Sequence, residues 1–462
     1  MTNSADADPG NQVVAFHRLA DGTLSLAGYF PTGGVGSGPA PTSTVFGAFV
    51  PVPADGLGSQ NGLVLSDPDA HGRRLLLAVN AGSDSVTCFV VQGGNDGLLL
   101  SAPVTVGSGG VFPNSLAFKG DGSGGVLYVL NAGLDGNVSG FKASAQCTLS
   151  PIPHGQQTLA GLISDPPVQE PRPIEVLTSA ADIGFTRDGA QLVVSIKGGP
   201  DAFAGGVVIF YINPSGSITQ PPLVTSFSAA ERTAAPFGFD IDDQGRLILT
   251  HVGSHTAAAY EIRSSGSLVP IGGPVPVSNL AELGLAAADT PLAFAGFPCW
   301  ITIHEGIAYV INFGDIPAAS GGLPNGPGTI VALRINQDGS LTPLDTDPQA
   351  PGLVATLKQD DRNDPKAGLF GNHGLDVAAV ADGEGAFLYL AQGRLGTLGA
   401  YRIEGDGTLT KVGDFNGGMT PGVDPFAGTN PGINDFLDRC FLQDEPRSPE
   451  CAQGSIQGVA GY

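Results

Sequence analysis

The sequence predicts an all-β fold, a seven-bladed β-propeller of four-stranded blades, from two recurring strand motifs and a recurring turn. The first motif is a short apolar strand ending in a polar residue near glycine. It runs LLLAVNAG (Leu75 to Gly82), VLYVLNAG (Val126 to Gly133), QLVVSIKG (Gln191 to Gly198), RLILTHVG (Arg246 to Gly253), IAYVINFG (Ile307 to Gly314) and AFLYLAQG (Ala386 to Gly393). The second motif ends at Phe16, Phe89, Phe141, Phe210, Tyr260, Leu333 and Tyr401. A turn of the form x-Gly-x-Leu or x-Gly-x-Ile follows at Gly22, Gly97, Gly216, Gly266, Gly339 and Gly407, and the stretch around Cys147 replaces it in one copy. Four short strands repeating at about 40 residues or more are the signature of propeller blades, none of which can bury both faces alone.

The register places blades at about 60–107, 112–158, 175–228, 235–278, 296–345 and 371–415. The seventh is composite: residues 1–30 supply its outer strands and 455–461 its first, so that the N- and C-terminal strands close the ring. Residues 1–462 are thus expected to form a single domain, with 416–454 a Pro-rich tail. Long connections at 159–174, 279–295, 315–328 and 346–370 interrupt the regular scaffold, where function often resides. The segment Asn279 to Ala287 is the best helical candidate. The glycine-rich TGGVGSG (Thr32 to Gly38) lacks the Gly-Lys-Ser/Thr ending of a phosphate loop and reads as a connection between blades.

Composition narrows the partners. Seventy Gly, 37 Pro and 14% charged residues fit a compact, loop-rich β protein, and 42% hydrophobic residues argue against disorder. A net charge of −23 opposes binding to nucleic acid or to an anionic membrane surface. A monomer is expected. Five cysteines leave at least one thiol unpaired within the chain, and the spacing of Cys440 and Cys451 suggests a local disulfide in the tail. The pairing of Cys88, Cys147 and Cys299 is left open. Asn137-Val138-Ser139 is a lone glycosylation sequon. The abrupt start within a blade suggests a trimmed, secreted or extracytoplasmic protein.

In a propeller the first strand of each blade lines the channel, and its start shares a face with the end of the second strand. Two rings of side chains are therefore expected at one mouth. The inner ring is Asn61, Asn114, Ala181, Phe237, Cys299, His373 and Gln457; the outer is Asn3, Asn80, Asn131, Lys197, His251, Asn312 and Gln392. Asparagines before Ala-Gly also cap their own loops, which is the structural reading of Asn80 and Asn131. Departures from the repeat are better site candidates. His373 and His251 have the side chain suited to acid–base work near neutrality. Lys197 and Arg232 would stabilise an oxyanion or hold a carboxylate. Trp300 and Arg394 complete the expected substrate-binding set. Cys299 paired with His373 offers a nucleophile and base, although its FPCWI context favours an inert buried thiol. Asp240, Asp242 and Asp243 lack calcium-loop spacing, and no metal or other cofactor is expected.

The stretches DGLGSQNGLVLS, LLLAVNAGSDSVTCF, DIGFTRDGAQLVVSIKG, APFGFDIDDQGRLILT, PCWITIHEGIAYVIN and LGAYRIEGDGTL together resemble the lactonase-type seven-bladed propellers. That group includes proteins similar to 6-phosphogluconolactonase and to eukaryotic-type 3-carboxymuconate cyclase. The resemblance implies lactone-opening or lactone-forming chemistry at the channel mouth, metal-independent, using His, Arg and carboxylate side chains. The competing expectation is a non-catalytic secreted propeller that binds a small ligand or a partner protein.

Overall fold

The computed structural model describes residues 1–2, 10–37, 42–45, 48–51, 56–94, 97–162, 178–198, 205–278, 297–313, 328–345, 352–357, 374–392, 397–416 and 459–460. Among these, six antiparallel sheets succeed one another along the chain, each with four consecutive strands in order. Blade one consists of Leu63–Leu65, Arg74–Asn80, Ser85–Gly94 and Gly97–Leu100, with Val104–Gly107 also paired to its third strand. Blade two is Pro113–Gly120, Gly124–Asn131, Asn137–Ser144 and Leu149–Thr158. Blade three is Ala180–Phe185, Gln191–Ile196, Gly206–Tyr211 and Leu223–Ser226. Blade four is Pro236–Ile241, Arg246–His251, Thr256–Ile262 and Leu268–Pro276. Blade five is Pro298–His304, Ile307–Asn312, Thr329–Ile335 and Leu341–Pro343, joined by Leu353–Thr356. Blade six is Gly374–Asp382, Gly385–Gln392, Thr397–Ile403 and Leu409–Asn416.

The remaining blade is represented by an antiparallel hairpin, Gln12–Arg18 with Leu24–Pro31, extended by a bridge between Thr2 and Val13. It docks as its neighbours do. In blades two and five, a second-strand tyrosine hydroxyl donates to the carbonyl of the turn glycine one blade on: Tyr128 to Gly216 at 2.6 Å and Tyr309 to Gly407 at 2.9 Å. Blade six repeats the contact onto the hairpin, Tyr389 to Gly22 at 3.1 Å. Gly22 lies at φ 86°, and a Cβ there would lie 2.2 Å from the Phe387 ring, so both its conformation and its packing require glycine. On the hairpin's other side Val13 and Phe30 pack with Leu63, Leu76 and Phe89 of blade one. Residues 3–9 lie outside the described residues, as do most of 455–461, the expected first strand of this blade.

Second strands are apolar on both faces because each is sandwiched between sheets; Ile307–Asn312 and Gln191–Ile196 are buried throughout. Fourth strands face outward, and Leu268–Pro276 has no fully buried residue. A separate pair, Thr42–Val45 with Ala48–Pro51, lies between the hairpin and blade one in sequence. The helical candidate at 279–287 lies outside the described residues. Among those described, the helical elements are the single 3-10 turns Ala81–Ser83 and Val252–Ser254, and no helix is long and apolar enough to cross a membrane.

Cys88 of blade one and Cys147 after the third strand of blade two form a disulfide, with Cα atoms 5.5 Å apart. Cys299 is buried and takes no part in this bridge. Cys440 and Cys451 lie outside the described residues. A structural disulfide is compatible with an oxidising, extracytoplasmic compartment. The sequon asparagine is engaged: Asn137 accepts from Asn131 at 2.8 Å and donates to the Gly109 carbonyl at 3.3 Å.

Candidate functional site

The predicted pairing at the mouth is present, since Pro113 pairs with Asn131, Pro236 with His251, Pro298 with Asn312 and Gly374 with Gln392. What lies between the inner strands is the segment Gly56–Asn61, which leads into blade one and crosses to the inner strands of blades two to five. Gly58 and Asn61 both take left-handed conformations, at φ 59° and 61°, which glycine and asparagine tolerate best. The Gly58 carbonyl accepts from Lys197 Nζ, and the Ser59 carbonyl from Trp300 Nε1 at 2.8 Å. Ser59 Oγ donates to the Asn114 carbonyl at 2.7 Å, and the Gln60 amide N–H to the Ala181 carbonyl at 3.1 Å. The Gln60 side chain reaches farthest: Oε1 accepts from the Ile301 N–H at 2.9 Å and Nε2 donates to the Phe239 carbonyl at 3.1 Å. Gly238 makes room for it, because a Cβ at 238 would stand 2.4 Å from that oxygen.

The inner ring is thus arranged around this segment. Lys197 is 1% exposed, with its ammonium 4.6 Å from the centre of the Phe237 ring. Phe237 in turn meets Trp300 edge-on at 5.4 Å. Asn114 is buried and donates to the Ala180 carbonyl at 2.8 Å and to that of Leu57 at 3.5 Å. Cys299 is buried beside them, its carbonyl accepting from Thr250 Oγ1 at 3.1 Å. The structure therefore gathers Asn114, Lys197 and Trp300 on the segment Gly56–Asn61, with Phe237 against Lys197 and Trp300.

Three carboxylates on inner strands join adjacent blades in one manner. Each accepts from the N–H of its own following residue and from a backbone N–H outside its own blade. Asp182 accepts from Ile183 at 2.8 Å and Phe239 at 3.1 Å, and Asp240 from Ile241 at 2.7 Å and Ile303 at 2.8 Å. Asp376 accepts from Val377 at 2.9 Å and Val459 at 3.2 Å. Asp182 also receives Asn61 Nδ2 at 2.9 Å and Ser115 Oγ at 3.1 Å. Burial pushes the Asp182 pKa up to about 8, against the opposing pull of these donors, and that of Asp240 to about 6 by the same cause. Sequence reasoning missed Asp182, Asp376 and Gln60, and weighed Asp240 only as a calcium ligand. The sheet registers place Asp182 opposite Ser195, in the same column as Ser115 and Trp300, so no break in an apolar column marked it.

His251 is fully buried, its Nε2 3.1 Å from the Tyr260 hydroxyl and its ring 5.0 Å from that of Phe227, edge to face. Burial lowers its pKa to about 3, with only a weaker opposing contribution from the Thr233 backbone. The asparagines of the outer ring are equally internal. Asn80 Oδ1 accepts from Asn11 and Thr32, at 2.9 and 2.7 Å, and its amide donates to Thr87 at 2.8 Å. Asn131 donates to Asn137, Asn312 to the Val277 carbonyl at 2.6 Å and Thr329 at 2.9 Å, and Gln392 to Asp414 at 2.7 Å. Arg232 is exposed on a left-handed turn at φ 59°, its carbonyl accepting from Thr256 Oγ1 at 2.7 Å. His255, the next residue back from Thr256, is half-buried against Phe297 and was not singled out from the sequence. His373, Arg394, Gln457 and Asn3 lie outside the described residues. Among the described residues no group of three or more His, Cys, Asp or Glu is placed to hold a metal ion.

The combination of successive four-stranded sheets and a mouth built at the ends of their second strands defines a β-propeller with its candidate site on the channel axis. Residues 63–284 match the family model described as lactonase, 7-bladed beta-propeller, which bears out the resemblance read from the sequence. Among solved structures, the chain is similar to a candidate 6-phosphogluconolactonase from Bacteroides fragilis, with 13% identity, a TM-score of 0.54, and coverage of 90% of this chain and 94% of that one. It is likewise similar to the periplasmic gluconolactonase of Pseudomonas aeruginosa, at 14% identity and a TM-score of 0.53 over 89% and 93% of the two chains. A protein from Lactobacillus plantarum matches at 14% identity and a TM-score of 0.54, covering 90% of this chain and 96% of its own. At such identities these likenesses concern the fold. No curated protein matches the chain.

Proposed function

We propose that this protein is a lactone hydrolase of an extracytoplasmic compartment, acting on a small lactone or carboxylate at the channel mouth. The observation that carries this reading is the lactonase family match over residues 63–284. Lys197 and Arg232 are the cations assigned to the developing oxyanion or the substrate carboxylate, and His373 is assigned proton transfer. His251 is given no proton-transfer role: a buried imidazole with a pKa of about 3 is neutral and bonded to Tyr260 at working pH. The reading invokes no metal or other cofactor. The Cys88–Cys147 bridge supports the compartment.

One observation favours a second reading, a non-catalytic ligand-binding propeller: the polar groups of Lys197, Trp300 and Asn114 are bonded to carbonyls of the chain's own residues 57–59. Hydrolysis of a panel of aliphatic, aromatic and sugar lactones separates the two, with His373→Ala beside the parent. Turnover that disappears in a folded His373→Ala protein supports the hydrolase. Absence of turnover on every lactone overturns it in favour of the binding protein.

A further inference from the structure

Far from the channel mouth, the N-terminal hairpin differs from the six four-stranded blades in what flanks it. In those blades the third-strand residue equivalent to Phe16 pairs across to a second strand, at Leu76, Leu127, Leu192, Leu247, Ala308 or Leu388. Phe16 itself pairs with Leu26 on its outer side. On the inner edge of Gln12–Arg18 the partners among the described residues stop at Met1 and Thr2. Thr2 bridges Val13, and Met1 and Val14 exchange two backbone bonds of 2.7 and 3.1 Å. Backbone groups of alternate residues in a strand point the same way, so those of Phe16 face this edge just beyond Met1. Beside it lies a cavity of about 550 Å³. Leu63, Leu65 and Leu76 of blade one form one wall, and Ala378, Val380 and Tyr389 of blade six the other. Val459, held by Asp376, stands at its border.

We propose that this gap is a strand-acceptor site, filled by a short, uncharged, apolar strand of a second polypeptide that adds antiparallel to Gln12–Arg18. The chemistry of the occupant follows from what fills the same column in the other blades, leucine or alanine within strands that are apolar on both faces. Main-chain bonds to Phe16 set the register, and alternate side chains meet the two apolar walls. A charged side chain between those walls would be desolvated without compensation. About five residues, at about 3.3 Å each, match the edge that runs outward from Ala15. The site is separate from the channel mouth, so it stands or falls independently of the lactone chemistry proposed above.

The test uses the full chain and, as probe, the peptide Gly124 to Tyr128 of this sequence, acetylated and amidated, which in blade two lies opposite Phe141 and its neighbours. Saturable binding is expected to raise the midpoint of thermal unfolding by about 1–2 °C at ten times the dissociation constant. Hydrogen exchange of the Phe16 amide is expected to slow at least about tenfold in the bound protein. The same peptide N-methylated at every residue keeps the side chains but cannot donate, and is expected to do neither. No shift up to the solubility limit of the peptide overturns the proposal. A shift produced equally by the N-methylated peptide also overturns it, and makes the gap a pocket for small apolar molecules. A shift that leaves Phe16 unprotected overturns it by placing the peptide elsewhere. Ala378→Trp fills the gap from the blade six wall and is expected to abolish binding; binding retained by the folded variant overturns the proposal. Should that variant not fold, the two peptides and the Phe16 amide decide on the parent alone.

Discussion

The imidazole of His251 and the phenol of Tyr260 share a hydrogen bond inside blade four, 3.1 Å from Nε2 to the hydroxyl, with neither group reaching solvent. A histidine with a native pKa of about 3 contributes stability that is complete above its unfolded pKa near 6.5 and is lost as pH falls toward 3, because the unfolded chain takes up the proton first. Blades one, two and five place asparagine at the equivalent strand end, so His251→Asn substitutes the repeat's own residue. It should cost about 1–3 kcal/mol at pH 7 through lost packing. The deficit should shrink between pH 6.5 and 4, measured by urea denaturation, since the variant has no proton to gain there. A deficit independent of pH would show that the imidazole is not buried neutral.

Asp182 has the opposite sign. Its pKa, about 8 in the fold, lies above the unfolded value, so its contribution is most favourable below pH 4 and declines as pH rises through 8. Asp182→Asn keeps the shape and removes the charge, but turns an amide donor toward at least one of the N–H and O–H groups now bonded there. The variant should be less stable than the parent at pH 5, and the difference should narrow or invert by pH 9. Each tenfold difference in proton affinity is worth about 1.4 kcal/mol. Parallel stability curves for the two proteins across this range would refute the assignment.

The propeller was legible because its information is periodic. Strands ending at Asn80, Asn131, His251, Asn312 and Gln392 were all read correctly from one motif, and the third strands reaching Phe89, Phe141 and Tyr260 from another. The mouth was less legible, because what fills it is not part of the repeat. Gln60 bonds to residues 179 and 241 positions away, contacts that no local pattern encodes. The inner-strand carboxylates were overlooked for a related reason. Aspartate two residues from a glycine looks like turn chemistry until the neighbouring blade's N–H groups are in place. Similarly, Cys88 and Cys147 sit 59 residues apart in sequence, and only the stacking of two sheets brings them together.

Asn80 closes the ring, in contrast to its repeat-mate Asn131. Its side-chain oxygen holds Asn11 and Thr32 at the two ends of the N-terminal hairpin, while its amide holds Thr87 in its own blade. The hydrogen bonds of Asn131 stay near its own blade, to Asn137 and Ser108. Asn80→Ala should therefore cost about 2–4 kcal/mol, leaving two buried partners without their acceptor. A double-mutant cycle with Asn11→Ala should show a coupling of about 1 kcal/mol or more, the signature of a shared bond. Additive losses would mean that the hairpin is held by packing alone.

The Cys88–Cys147 bridge ties blade one to blade two within a fully buried apolar cluster that includes Leu77, Val86, Phe141 and Ala143. Cys147 sits in a left-handed turn at φ 63°, where the other blades have the x-Gly-x-Leu/Ile turn; the bridge thus takes over a joint made elsewhere by turn packing. In the chain-entropy account, closing a loop across a separation of 59 residues removes unfolded-state freedom worth about 4 kcal/mol. Cys88→Ala with Cys147→Ala should lower the unfolding free energy by about that amount in guanidinium denaturation. The native parent should resist dithiothreitol, because both sulfurs are buried, and become reducible only as it unfolds. Rapid reduction of the native protein would show that the two blades separate locally without global unfolding. A double variant as stable as the parent would place the joint in the surrounding apolar contacts instead.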